Sequence, residues 1–355
     1  MTTPLARARR LTLAVLLALP LATSSAHAFA PIDDAPGERA EASADGAELA
    51  AWRAWAEEHR YKLASDDERR ILVLARSAAN LRRYAKAVRE VSAEVDAFAP
   101  EESAVEGGGT GELPWIGLFE LEDLDDQLSA LQVAGRIAPY LEEWVRLRGE
   151  NIFGFLTERP LLGAWILKVP GREEFDAGNE LAHRLTRLLL QRRFGHLPHW
   201  LASGLAWRFE QNLRGDIDCF PDRDGFVAIT EHDGWGSSVR TELGKASGTF
   251  DLGVVAAWSR GVYRDREAGL SWALASFLCE EHAPKLGALL AELGRENETR
   301  GRVTHADGTW ERVVGYELDA DVQLEVLRRH AGDDVMEAFS RAGSRGRFKK
   351  RVPRP

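Results

Sequence analysis

Cysteine is almost absent from this chain: Cys219 and Cys279 are the only two in 355 residues. So few exclude a small disulfide-stapled scaffold and any four-cysteine zinc module. They can form at most one disulfide, and the sequence leaves open whether they do or stay as two buried thiols. Long apolar runs are scarce too. The run Leu11–Ala22 is too short for a comfortable membrane span, and no later run approaches that length. Excess positive charge is lacking: the formal net charge is −10, which argues against nucleic acid as a partner. Two ligand signatures are missing as well. Gly107-Gly108-Gly109 has no G-x-x-x-x-G-K-[ST] around it, so no phosphate cradle is expected. The acidic stretch Asp216–Gly236 does not follow the EF-hand spacing and reads as a solvated loop.

What is present begins with a targeting signal. Arg7, Arg9 and Arg10 precede the apolar run, and Ala26-His27-Ala28 follows it. Basic, apolar and A-x-A segments in that order predict a secretory signal peptide over residues 1–28, with an uncleaved anchor as the second reading. The expected location is secreted, periplasmic or cell-envelope, with no integral membrane segment after cleavage. Cleavage removes three arginines and no acid, taking the net charge from −10 to −13. At the other end, residues 344–355 are a basic tail with Arg345, Arg347, Lys349, Lys350, Arg351 and Arg354. It reads as a solvated end, with a tether to an anionic surface as the sharper alternative.

Between the ends the pattern is α+β and mostly helical. Residues 29–46 read as a linker. Residues 47–111 form an N-terminal helix and hairpin region: a helix over Ala47–Arg60 with Trp52 and Trp55, then strands Tyr61–Ser65 and Arg70–Ala75 joined by a polar turn. Next comes a helix over Asn80–Phe98, whose apolar positions Leu81, Tyr84, Val88, Val91, Val95 and Phe98 recur every three or four residues. Pro100 ends it, and Glu101–Gly111 is a flexible break. Residues 112–343 form the core domain. It holds a helical stretch, Leu121–Trp144, interrupted by Gly135 and Pro139, and strand candidates Ala164–Val169 and Phe226–Ile229. C-terminal helices follow over Leu270–His282, Lys285–Leu293 and Asp319–Phe339, the last broken near Gly332. Trp235, Trp258 and Trp272 read as core or groove walls.

The stretch from Asp176 to Gln211 organises the rest. Its first part reads Asn179-Glu180-Leu181-Ala182-His183. Residues four apart share a helix face, which is how H-E-x-x-H presents two imidazoles to zinc beside a glutamate base. Here the glutamate and second histidine are present, and asparagine stands at the first histidine position. Downstream, Pro198, Trp200, Leu201, Gly204 and Ala206 match the pattern P-x-W-L-x-E-G-x-A, with Ser203 at the glutamate position. The chain thus resembles the gluzincin metallopeptidases, the thermolysin-like superfamily, with a degenerate zinc motif. The resemblance covers roughly residues 60–343, but only Glu180–Glu210 is specific.

That resemblance implies a zincin-like core with a small sheet beside the Asn179–Phe194 helix. It makes Glu180 a vestigial general base and His183 a vestigial metal ligand, with Asn179 and Ser203 at the former ligand positions. It implies zinc in the ancestral family and its loss here, since a catalytic site needs three protein ligands and one remains. The expected function is then a secreted pseudo-peptidase that binds a peptide or protein, or scaffolds an assembly. The alternative is an active secreted hydrolase using a substitute site around Glu180 and His183. Three fates of the old site are open: a rebuilt metal site from His183, His196 and His199; Ser203 as a nucleophile with His183 as its base, though without a G-x-S-x-G elbow; or a structural cluster of Asn179, Glu180, His183 and Ser203, which is the preferred reading. His199 and Trp200 are the candidate binding residues. A plainer reading also stands, because Leu181, Leu185, Leu188 and Leu189 alone make an ordinary amphipathic helix.

Overall fold

The computed structural model describes residues 44–98, 115–121, 124–137, 154–156, 161–166, 176–219, 234–245, 249–258, 264–306, 309–313 and 316–348. The expected signal peptide, most of the expected linker, the break expected at Glu101–Gly111, the Phe226–Ile229 strand candidate and the end of the basic tail lie outside these residues.

The described chain is mostly helical around a small mixed sheet. α1 (Ala44–Glu58) leads into the antiparallel pair β1 (Lys62–Asp66) and β2 (Ile71–Ala75), with Leu63 opposite Leu74. The β-rich run Ile71-Leu72-Val73-Leu74-Ala75 is buried throughout, as a strand covered on both faces must be. α2 (Ala78–Phe98) then crosses to β3 (Trp115–Phe119), which pairs parallel to β2. The regions before and after the Glu101–Gly111 break therefore share one sheet. α3 (Leu124–Ile137), β4 (Gly154–Leu156) and β5 (Leu161–Ile166) complete the order β1-β2-β3-β5-β4.

Side-chain alternation sorts the sheet into two faces. Leu72, Leu74, Trp115 and Phe119 pack on one side with Trp52 and Trp55 of α1 and Ala130, Leu131 and Val133 of α3. Ile71, Val73, Ile116 and Leu118 pack on the other with Tyr84, Val88, Val91 and Val95 of α2 and the leucines of the Asp176 stretch. The sequence pattern predicts a helix break at Gly135, but α3 runs through it. A helical glycine costs only about 1 kcal/mol, which burial of the α3 apolar face offsets. The strand expected at Ala164–Val169 begins earlier, at Leu161, because β3 starts its pairing there with Trp115 opposite Leu161.

The rest is helical: α4 (Ala177–Phe194), α5 (His199–Arg214), α6 (Trp235–Lys245), α7 (Gly253–Ala256), α8 (Asp265–Glu281), α9 (Ala283–Arg300), α10 (Ala320–Ala331) and α11 (Val335–Ser344), with a small hairpin of β6 (Arg302–Thr304) and β7 (Trp310–Arg312). The break near Gly332 falls where expected, with Gly332 at a φ of 102° between α10 and α11. α5 and α8 form the heart of the large second core. Trp235, Trp258 and Trp272 are buried in it as core residues, and the Trp207 and Trp258 rings stack 6.0 Å apart. Cys219 and Cys279 are free thiols. Burial pushes the Cys279 thiol up to about 12. Among the described residues, no helix is long and apolar enough to cross a membrane.

Candidate functional site

The α4–α5 hairpin is specified by its ends. Asp176 caps α4, its carboxylate accepting the Gly178 N–H at 2.7 Å and the Asn179 N–H at 2.9 Å. Arg192 and Arg193 lie in the last turn, where cations suit the helix dipole. Gly195, at a φ of 71°, stops the helix, and its N–H bonds to the Gln191 carbonyl. Pro198 then opens α5, its carbonyl accepting from Leu201 and Ala202 at 3.0 Å. Gly204 has a packing reason. A Cβ there would collide with the Ser271 carbonyl of α8, so only glycine allows the two helices to sit so close.

The short turn folds α5 back along α4, so residues equally far from the turn face each other. His183 stands as many residues before the end of α4 as Glu210 stands after the start of α5, and the same holds for Asn179 and Arg214. These pairs touch. His183 Nδ1 is 3.2 Å from Glu210 Oε2. Asn179 Nδ2 donates to Glu210 Oε1 at 2.9 Å and to the Asp216 carbonyl at 3.2 Å, while Arg214 Nε donates to Asn179 Oδ1 at 3.2 Å. Glu210 Oε1 also accepts the backbone N–H groups of Asp218 and Cys219. The His183 ring meets Trp207 edge-on at 5.5 Å.

Glu180 is held differently. Arg184, one turn on, donates from Nε to its Oε2 at 2.8 Å, and both side chains are 6% exposed. Burial drives the Glu210 carboxyl well above its ordinary range. The Asp218 N–H, the Asn179 amide and the Cys219 N–H pull the other way, and the Glu180 charge adds to the rise. Burial, reinforced by the charge on Glu180, also raises the Cys219 thiol far above its usual value.

The structure therefore brings Asn179 and His183 together, but through Glu210 rather than Ser203, while Glu180 pairs with Arg184. Ser203 is fully buried, and its Oγ has no hydrogen-bond partner among the described residues. His199 is buried edge-on against Trp258 at 4.5 Å. Trp200 is also in the core, donating from Nε1 to Gln323 Oε1 at 2.7 Å. His196 is half-buried in the turn. Among the described residues, no three His, Cys, Asp or Glu side chains are grouped as ligands of one ion.

The donor set around Asn179 does not fit zinc. Amide and backbone N–H groups converge on Glu210, a guanidinium reaches the Asn179 carbonyl, and Arg184 already neutralises Glu180. A cation would displace donors and face arginines. Sequence reasoning gave no role in this site to Glu210, Arg184, Arg214 or Cys219. The signal for Glu210 and Arg214 was available, since Gly195 and Pro198 locate the turn from which facing positions are counted. Compared with known proteins, the chain matches no family model and no curated relative.

Proposed function

We propose that this chain is an exported pseudo-peptidase of the gluzincin-like metallopeptidases, non-catalytic at the former zinc site, on a zincin-like core, with a peptide- or protein-binding or scaffolding role. One observation carries the reading. The glutamate that would act as general base is ion-paired to Arg184 and buried, instead of facing an open position where water could bind. The order of elements supports the ancestry: a small mixed sheet precedes α4, and α4 packs directly on it. The Asn179–Glu210–His183 network supports loss of the metal, because the Asn179 amide and His183 Nδ1 both engage the Glu210 carboxylate.

Elemental mass spectrometry of the purified chain after mild zinc loading tests the proposal. The expected result is near-zero zinc, and no peptide hydrolysis that Glu180→Gln abolishes. About one equivalent of zinc in the unaltered protein would overturn it. Asn179→His is run in parallel, alone and combined with Ser203→Glu. Zinc uptake by the single variant would make Glu210 the third ligand; uptake by the double variant only would assign that place to position 203.

A further inference from the structure

A second polar constellation lies across the sheet from α4, between α1 and α3. Ser129 Oγ is 3.0 Å from His59 Nε2. His59 Nδ1 is 3.2 Å from Asp126 Oδ1. Asp126 Oδ2 accepts the Tyr61 hydroxyl and an Arg76 Nη2–H, each at 2.6 Å. Trp55 Nε1 donates to Ser129 Oγ at 2.9 Å.

The donors fix the direction of this chain. An indole N–H only donates, so Ser129 Oγ uses a lone pair for Trp55 and keeps its own O–H for His59. His59 Nε2 must then accept, which places the neutral ring's proton on Nδ1, facing the Asp126 carboxylate. The opposite tautomer would leave a bare nitrogen against a carboxylate and two N–H donors against one hydroxyl. Burial alone would raise the Asp126 carboxyl, but the Tyr61 hydroxyl, Arg76 and His59 outweigh it and hold the carboxyl below its ordinary value. Asp126 thus stays ionised, as an orienting group requires.

Local structure holds each member in place. Asp126 and Ser129 are three apart on α3 and share a face. Trp55 on α1 and His59, the residue just past its end, are four apart and stack at 4.7 Å. α1 ends in a Schellman turn, with Tyr61 N–H bonded to the Ala56 carbonyl and Arg60 N–H to the Glu57 carbonyl. The left-handed position of that turn is filled by Arg60, at a φ of 58°, where glycine is the usual occupant. Arg76 Nη1 also binds the His59 carbonyl at 2.8 Å, locking the turn. The His59 side chain is 25% exposed and Ser129 is half-buried, so the site meets solvent on the imidazole side.

We propose that Ser129, His59 and Asp126 form a second, esterase-type site, in which Ser129 is a nucleophile toward activated esters. Ser129 Oγ bonds to the acyl carbon as its proton passes to His59 Nε2. The bond to the leaving alkoxide breaks, and that proton leaves with the alcohol. Water then attacks the acyl-serine, giving one proton to His59; Ser129 Oγ regains it as the acid departs. Ser129 lies inside α3, where backbone N–H groups are bonded along the helix, and not on a tight strand-to-helix turn. The substrate class is therefore small esters with good leaving groups, which depend least on an oxyanion hole. Asp126 is a positioning residue, and Trp55 orients the hydroxyl.

The full chain is treated with a fluorophosphonate probe, and the adduct is located by peptide mass mapping. Attack of Oγ on phosphorus expels fluoride, with the proton taken by His59. One adduct on Ser129 is expected, unchanged in Ser65→Ala on β1. His59→Gln and Asp126→Asn should label at least about 100-fold more slowly, and Asp126→Glu should regain part of the rate. Ser129→Ala should show no adduct while keeping the parent circular-dichroism melt; if it does not fold, the mapped position in the unaltered chain decides. No adduct, an adduct on another residue, or equal labelling by Asp126→Asn would overturn the assignment.

Discussion

Asn179 and Glu210 hold each other across the α4–α5 hairpin, amide Nδ2 to carboxylate Oε1 at 2.9 Å, with both side chains buried. Glu210 is therefore the hub to remove first. Glu210→Ala removes the acceptor from one Asn179 amide N–H and from the Asp218 and Cys219 N–H groups at once. Each buried orphan costs about 1–3 kcal/mol, so a loss of about 3 kcal/mol or more is expected. Urea denaturation reads it directly, and a loss under 1 kcal/mol would remove Glu210 from the centre of the network.

Glu210 also sets a pH dependence. Its carboxyl is raised in the folded state above the ordinary 4.5, so folding favours the protonated form. The stabilisation is complete below the unfolded value and is lost as pH rises through the folded one. Glu210→Gln mimics the protonated acid, with its oxygen still accepting and its Nε2 able to donate to His183. Its stability relative to the parent should improve as urea titrations move from about pH 4 to about pH 8. A constant difference would contradict the raised value.

Asp126 behaves in the opposite sense. Its carboxyl is held below the ordinary 3.8, so its stabilisation is present above the unfolded value and is lost as pH falls through the folded one. The parent chain should outlast Asp126→Asn at neutral pH and converge with it in acid, as followed by circular dichroism.

Glu180 and Arg184 test as a pair. Arg184→Met leaves a buried carboxylate without its cation and should cost about 3–5 kcal/mol. Glu180→Gln combined with Arg184→Met should recover much of that loss. A double-mutant cycle with no coupling would show that the ion pair does not restrain Glu180.

Ser203 carries the smallest expected effect. Its hydroxyl is buried without a partner, so Ser203→Ala should leave the melting temperature unchanged or raise it. A marked fall would reveal a hydrogen bond formed by that hydroxyl in solution.

Local signals were readable where chemistry acts over a few residues. The strands at Lys62–Asp66 and Ile71–Ala75 follow from β-branched and apolar runs around a polar turn. α2 follows from its apolar spacing, and the hairpin of α4 and α5 from Asp176, Gly195 and Pro198. The strand at Leu161–Ile166 was offset because strand ends are set by the partner, and α3 ran through Gly135 because packing outweighed propensity.

The partners inside the hairpin were less accessible. Motif spacing pairs His183 with Ser203, whereas the helix lengths on either side of the turn pair it with Glu210. The Ser129–His59–Asp126 relay had no motif at all, because its members come from α3 and from the turn that ends α1, separated by β1, β2, α2 and β3. By itself the sequence determined the mostly helical α+β class, the amphipathic faces and the ends of the central helices, since caps, turns and periodicity act within one or two turns of chain. Only the tertiary structure decided which buried polar groups meet. Those contacts depend on helix length, crossing and sheet order summed over the whole fold, and a one-residue change in any of them turns a different side chain inward.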